Sequence, residues 1–370
     1  MKKIILWILI LFSSVAVADE SPGYQMSTLA TGLQYPYSLA FLPDGDILAT
    51  EKTGQLRLIH EGVLIETPVA NVPDVDVGYQ GGLLDIALHP QFSKNRQLYF
   101  SLTQGKGEHS SLRVFRAQYI SGVTKSGQLI NVSEIFQAPE TPPIALGGRL
   151  LFLPDETLLV SVGDGFDYRE QAQNLESTLG KIIRINDDGT IPKDNPFLNQ
   201  DGVTSAVYSY GHRVAIGLFQ DKTTQTVYAH ENGPKGGDEL NRIEAGKNYG
   251  WPIASYGIAY SGGRVSPFSQ YPGTEQPLVQ WTPSIAPSGL TQCRGCQWPE
   301  WEGDLLVGFL AGRQARRIIL QEGVVTDQKI LFKELGERIR DLRFGPDGAL
   351  YMLTDNINGR VIKVTPLTQR

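Results

Sequence analysis

The sequence predicts an all-β fold, a six-bladed β-propeller formed by residues 19–370 as a single domain. Three observations point there. Forty glycines and 22 prolines beside only 19% charged residues suit many short strands joined by tight turns. One hairpin pattern recurs along the chain. No stretch keeps a 3.6-residue apolar period, and the best helical candidate, Arg169 to Leu179, is short.

The pattern is clearest near the two ends. "SLAFLPDGDILATEKTGQLRLI" and "IRDLRFGPDGALYMLTDNINGRVIKV" each read as an apolar strand, a Pro-Asp-Gly turn, a second apolar strand, a polar turn and a third strand. Leu350 and Met352 alternate with Tyr351 and Leu353 at the two-residue period of a strand. Between them lie "DIALHPQFSKNRQLYFSLTQ", "GGRLLFLPDETLLVSVGDG", "IGLFQDKTTQTVYAHENG" and the more divergent "SGLTQCRGCQWPEWEGDLLVGFLAGRQARRIIL". The turns fall near 43, 90, 154, 221, 291 and 346, a loose period of about 60 residues. Six four-stranded repeats set radially make a propeller, which leaves only short, protected sheet edges. A pair of β-sandwiches is the competing architecture, and the even recurrence of the turn favours the ring. Ligands then bind at the mouth of the central channel, where connecting loops meet.

Residues 1–18 read as a cleaved signal peptide: Lys2 and Lys3, an apolar run from Ile4 to Phe12, and Ala16-Val17-Ala18 as cleavage site. The run is too short to span a bilayer. The expectation is an exported protein of the bacterial periplasm without membrane insertion. Loss of the two lysines moves the net charge from −6 to −8, which argues against nucleic-acid partners. Cys293 and Cys296, spaced CRGC, are the only cysteines. Two cysteines cannot close a tetrahedral zinc site, and no thioredoxin-like pattern surrounds them, so a local disulfide is the better reading in an oxidising compartment.

"HENGPKGGDELNRIEAGKNYGWP", residues 230–252, is the most unusual stretch. Its glycines let the backbone approach a ligand closely. Asp238 and Glu239 are hard oxygen donors, and loop carbonyls could complete a calcium shell. A long surface turn between strands would have the same composition.

Together with "GYQGGLLDIALHPQF", "LGGRLLF", "QAQNLESTLGKIIRINDDGTIPKDNPF", "YGHR" and "GERIRDLRFGPDGALYMLTD", that stretch resembles the soluble aldose dehydrogenases that use pyrroloquinoline quinone (PQQ). The resemblance runs in order from about Gly32 to Val364. It implies a small-molecule sugar substrate, PQQ and calcium as cofactors, and an external electron acceptor that the sequence leaves unnamed. PQQ bears three carboxylates, so its site needs cations. Position by position, Gln80 matches a glutamine at the quinone, Arg213 an arginine beside the reacting oxygens, and Arg338 with Arg340 a pair on the carboxylates. The i, i+2 spacing of that pair puts both side chains on one strand face. Arg313 stands nearest to a family lysine that "FLAGRQARR" lacks. Gly233 and Pro234 match carbonyl ligands of the calcium at PQQ. Glu239 and the Tyr249 carbonyl match a second, structural calcium site, with Asp238 the alternative donor.

The resemblance breaks at the centre. The family reads His-Phe-Gly-Gly-Arg where this chain has Ala145-Leu146-Gly147-Gly148-Arg149, and that histidine is the family's general base. An asparagine that contacts PQQ is replaced by Val214. Asp164 matches the acid that orients the histidine, and it is the candidate to act as base itself through a water. The resemblance thus implies PQQ- and calcium-dependent aldose oxidation with weak or altered chemistry. A non-catalytic sugar- or protein-binding propeller is the alternative. A propeller lactonase ranks last, because Asn174 and the Asp187-Asp188 pair supply no evident metal ring.

Overall fold

The computed structural model describes residues 23–122 and 125–367; the segment read as a signal peptide lies outside the described residues. Six four-stranded antiparallel sheets follow one another along the chain. Their first strands are Pro36–Phe41, Leu83–Leu88, Gly147–Phe152, Ala215–Gln220, Pro287–Gln292 and Ile339–Phe344. Each first strand packs against those of the two neighbouring sheets, so the six form a ring around a central channel. This is the expected six-bladed β-propeller.

The repeated turn behaves as its residues dictate. Leu42 N–H donates to Asp46 O and Gly45 N–H to Leu42 O, with Gly45 at φ +95°. The last blade repeats this geometry with Gly348 at φ +74°, a region that favours glycine. In the third blade Glu156 takes the same place at φ +66°, so the turn there reads Pro-Asp-Glu. Second strands such as Ile47–Glu51, Leu158–Val162 and Leu350–Thr354 are buried along their whole length. Both of their faces meet adjacent blades, so they read as continuous apolar runs. There is accordingly no single core: each of six apolar clusters fills one inter-blade interface, for example Leu48 with Phe100, or Leu306 with Leu350.

Of the helical candidate Arg169–Leu179, only Arg169–Ala172 forms a short 3-10 turn. No helix among the described residues is long and apolar enough to cross a membrane. Cys293 and Cys296 are joined by a disulfide that closes the turn after the first strand of the fifth blade.

Where the first strands converge, a buried ionic cluster ties them together. Asp85 Oδ1 accepts from Ser38 Oγ (2.5 Å), Arg149 Nη1 (3.2 Å) and Arg343 Nη2 (2.9 Å), and its Oδ2 from Leu150 N (2.8 Å). Asp341 Oδ2 accepts from Arg343 Nε at 2.9 Å and from Leu39 N at 3.3 Å. Arg149 Nε reaches Ile216 O at 2.8 Å. Burial alone would raise the Asp85 carboxyl; Arg149 and Arg343 outweigh it and hold the group below the usual carboxylate range.

The ring closes through the chain's own ends. Tyr24–Leu33 pairs with Gly359–Pro366, from Tyr24 opposite Pro366 to Leu33 opposite Gly359, and so supplies the outer strand of the sixth blade. Tyr24 Oη donates to Glu334 Oε1 (2.8 Å) and accepts from the buried Phe332 N–H (3.0 Å). Tyr24→Phe keeps the packing and orphans that N–H, so it should cost about 1–3 kcal/mol. The readout is a lower denaturant midpoint at an unchanged m-value; an unmoved midpoint would show that closure does not lean on the hydroxyl.

Candidate functional site

A cavity of about 390 Å³ opens at one mouth of the channel, lined by loops of all six blades. Gln80, Arg213, Gly233, Pro234, Arg338 and Arg340 all line it, as do Ala145 and Val214. Four segments place a residue there by one rule. Lys52, Asn232, Leu310 and Asp355 each directly follow the second strand of their blade, and all four line the cavity. The polar turn between second and third strands therefore faces the mouth in blade after blade.

The lining is strongly cationic. Lys52, Arg213, Arg338 and Arg340 face one carboxylate, Asp355, an excess of three positive charges. Asp355 orients the pair that the sequence put on one strand face. Its Oδ2 accepts from Arg338 Nε (2.8 Å) and its Oδ1 from Arg340 Nη2 (3.0 Å). Burial pushes the Asp355 carboxyl up, and Arg340 and Arg338 pull it further down, so it stays ionised. Arg340 also lies 5.1 Å from the Tyr37 ring centre, and Arg149 of the channel cluster 4.8 Å from the same ring. Lys52 was missed in the sequence, where "EKTG" reads as an ordinary turn. Its Nζ lies 3.4 Å from Tyr79 O, and burial, then Arg340, lower its pKa.

Arg213 is clamped by the glycine-rich loop. Its Nη1 donates to Asn232 O (2.7 Å) and Gly233 O (3.1 Å), and its guanidinium lies 5.6 Å from the Trp251 ring centre. A Cβ on Gly233 would sit 2.1 Å from Gly236 O, so only glycine fits there. Asp238 is fully used as a staple. Its Oδ1 accepts from Gly233 N (2.9 Å), and its Oδ2 from Ile285 N (2.8 Å) and Ala286 N (2.9 Å), joining the fourth blade to the fifth. It is no spare metal donor.

Glu239 and Tyr249 do not reach the main cavity. They line a small adjoining pocket of about 10 Å³ with Glu231 and Asn232, roughly the room of one water or ion. Burial, then the charge of Glu231, push the Glu239 carboxyl well above the usual carboxylate range. Asn241 Nδ2 lies 3.3 Å from both carboxylates, while the buried Oδ1 atoms of Asn232 and Asn241 have no partner. The Tyr249 side chain is occupied: its ring stacks on His212 at 4.7 Å and its hydroxyl donates to Arg242 O. Glu231 is occupied much as Asp238 is, with its Oε1 3.1 Å from His212 Nδ1 and its Oε2 accepting from Arg213 N at 2.6 Å. Glu239 and the orphaned Asn232 oxygen are therefore the side-chain donors left for a hard cation. Among the described residues no three acidic, histidine or cysteine side chains converge on one point, so carbonyl and amide oxygens would have to complete such a shell.

Asp164 needs correcting as a base. It does not line the cavity. Its Oδ1 accepts from Phe166 N (2.8 Å) and its Oδ2 from Trp251 Nε1 (2.9 Å), and burial raises its pKa although Arg213 opposes that. Both oxygens are engaged in holding loops. Arg313 is likewise absent from the lining, and its Nη1 donates to Gly336 O. Ala145 sits at φ +51° with its N–H donating to Gln80 Oε1 at 2.9 Å. No histidine lines the cavity.

The family model for glucose/sorbosone dehydrogenases matches residues 33–363. The aldose sugar dehydrogenase YliI of Escherichia coli is 35% identical over 349 residues, covering 92% of each chain. An uncharacterised protein of Synechocystis is 44% identical, covering 94% of this chain and 88% of its own length. The solved PQQ-bound form of an aldose sugar dehydrogenase from Streptomyces coelicolor superposes with a TM-score of 0.76 at 30% identity, covering 93% of this chain and 99% of that one.

Proposed function

Because this chain belongs to the glucose/sorbosone dehydrogenase family, we propose that it oxidises aldose sugars in the bacterial periplasm with PQQ and calcium. The observation that carries this reading is the charge of the cavity. An excess of three positive charges around about 390 Å³ matches a flat cofactor with three carboxylates, and it would repel a bare metal ion. Export is supported by the signal-like residues 1–18 and by the Cys293–Cys296 disulfide.

Arg338, Arg340 and Lys52 would hold the carboxylates, with Arg213 and the free Nε2 of Gln80 on the quinone. The carbonyls of Gly233 and Pro234 would meet calcium there; they are neutral donors, so its charge would be balanced by the cofactor. When bound, PQQ supplies the two-electron acceptor for the hydride of the sugar's anomeric carbon, and calcium a Lewis acid. The chain's own task is then to orient the sugar and remove the hydroxyl proton. For that task it is poorly equipped: Asp355 is paired with two arginines and Asp164 is tied below the cavity. With Lys52 engaged as a cation on a carboxylate, water remains as the proton acceptor. The apolar Ala145 and Val214 at the cavity wall favour a non-catalytic sugar-binding propeller as the second reading.

The second calcium would sit in the Glu231–Glu239 pocket without PQQ, because a native-state ligand stabilises by mass action. Calcium should raise the melting temperature of the cofactor-free protein, and Glu239→Ala should abolish most of the rise. An undiminished rise in that variant would place the ion elsewhere.

Catalysis is tested by loading the protein with PQQ and calcium, confirming uptake by the cofactor's absorbance, and following aldose-dependent reduction of a dye. Wild type should turn over slowly, with a rate that keeps rising into alkaline pH as hydroxide takes over from water as the acceptor. Position 145 has a left-handed backbone that histidine tolerates, so Ala145→His can restore a base. Turnover should rise at least about tenfold, with a plateau beginning near the imidazole range of about 6.5. Fast wild-type turnover with its own plateau there would mean an unrecognised base; uptake of PQQ with no turnover in either protein would favour the binding propeller.

A further inference from the structure

Four aromatic residues at or beside the cavity are exposed: Tyr35 (42%), Phe166 (39%) and Tyr260 (55%) line it, and Tyr79 (80%) directly precedes the lining residue Gln80. Exposure alone is common. Their backbones are not. Tyr35 (φ +47°), Tyr79 (φ +46°) and Phe166 (φ +70°) all occupy the left-handed region, which is unfavourable for bulky side chains. Strain of this kind persists where surrounding structure imposes it, and it gathers at ligand clamps. Here it holds rings that keep a large exposed face.

Hydrogen bonds link these residues into one arc. Lys52 N–H donates to Tyr35 O (3.1 Å), and its Nζ lies 3.4 Å from Tyr79 O. Gln80, next in chain to Tyr79, accepts from Ala145 N (2.9 Å), and Ala145 O accepts from Gly165 N (3.4 Å). Asp164 Oδ1 fixes Phe166 N at 2.8 Å, and the Phe166 ring stacks on Tyr260 at 5.9 Å between centres, 28° from parallel. The arc thus runs from the first blade to the long loop of the fourth, around the wall that carries Ala145.

We propose that this arc is a carbohydrate platform for the sugar rings beyond the reducing end, which makes an oligosaccharide the preferred substrate. The inference rests on the sugar-oxidation reading. One face of a pyranose is a sheet of polarised C–H bonds, and it packs on the electron-rich face of an aromatic ring. Among the described residues no group bonds the hydroxyls of Tyr35, Tyr79 and Tyr260, so they are left for sugar hydroxyls. A chain whose terminal ring enters the cavity must leave it across the rim. Asp164 is then a positioning residue for Phe166, which gives its buried carboxylate a task outside proton transfer.

The test is calorimetric titration of the PQQ- and calcium-loaded protein with two ladders, glucose to maltotetraose and glucose to cellotetraose, in wild type, Tyr79→Ala and Phe166→Ala. On at least one ladder the second or third ring should tighten binding at least fivefold in wild type. Both variants should lose that gain while keeping their melting temperatures. Equal affinity along both ladders overturns the platform while glucose binding keeps the sugar reading intact, and it would return the rim to docking a protein. A gain that survives in both variants also overturns it. Binding of no sugar at any length removes the platform together with the sugar reading.

Discussion

Two aspartates and two arginines where the first strands meet, all buried except the half-buried Arg343, are the constraint from which the rest of the molecule follows. Asp85, Arg149, Asp341 and Arg343 come from the second, third and sixth blades, and they reach backbone or hydroxyl groups of the first and fourth. The charges balance within the cluster. Removing any one member would leave an uncompensated buried charge, at a cost of about 3–5 kcal/mol. Six apolar interfaces hold neighbouring blades together, but apolar contact is not directional. The ion cluster fixes how the first strands meet across the channel, and hence the shape of the mouth above it.

The same cluster explains the cavity's charge. Its own arginines are spent on Asp85 and Asp341, so the channel floor is neutral and presents the Tyr37 ring, flanked by Arg149 and Arg340. The cations above the floor, by contrast, have one carboxylate among them. A cavity left that positive is stable only because it opens to water and counter-ions, and it favours whatever anion fills it. Strain points the same way: left-handed residues crowd the rim, where Ala145 and Ala286 join the aromatic arc. Asp164 and Asp238 show how the surrounding loops are held, each spending both carboxylate oxygens on structure.

Much of this was legible in the sequence because the repeat carries its own punctuation. The Pro-Asp-Gly turn marks the first and last blades, and Arg338, Arg340, Arg213 and the glycine-rich loop reach the cavity from motifs that can be read directly. What was not legible depends on distance or on strand face. Tyr24–Leu33 has no hairpin partner nearby, since its partner is the last strand of the chain. Asp238 and Glu239 are indistinguishable as letters, yet on adjacent strand positions one faces the loop at 284–286 and the other faces Glu231. Lys52 reads as any turn lysine; it reaches the cavity because, like Asp355, it directly follows the second strand of its blade. The sequence did expose the central loss, Ala145, but the structure was needed to show that Asp164 does not lie open to replace the base.

The central claim is that the cavity recognises three carboxylates through its excess of cations, and one comparison tests it most directly. The cofactor-free protein would be titrated with PQQ and with its trimethyl ester, each followed by its own absorbance, at low and high salt. Charge-assisted hydrogen bonds are worth about 1.5–3 kcal/mol each, so the ester should bind at least about a hundredfold more weakly than PQQ. Salt should weaken PQQ and leave the ester nearly unaffected. Equal affinity for the two, indifferent to salt, would contradict the account, because the excess charge of Lys52, Arg213, Arg338 and Arg340 would then have no part in recognition.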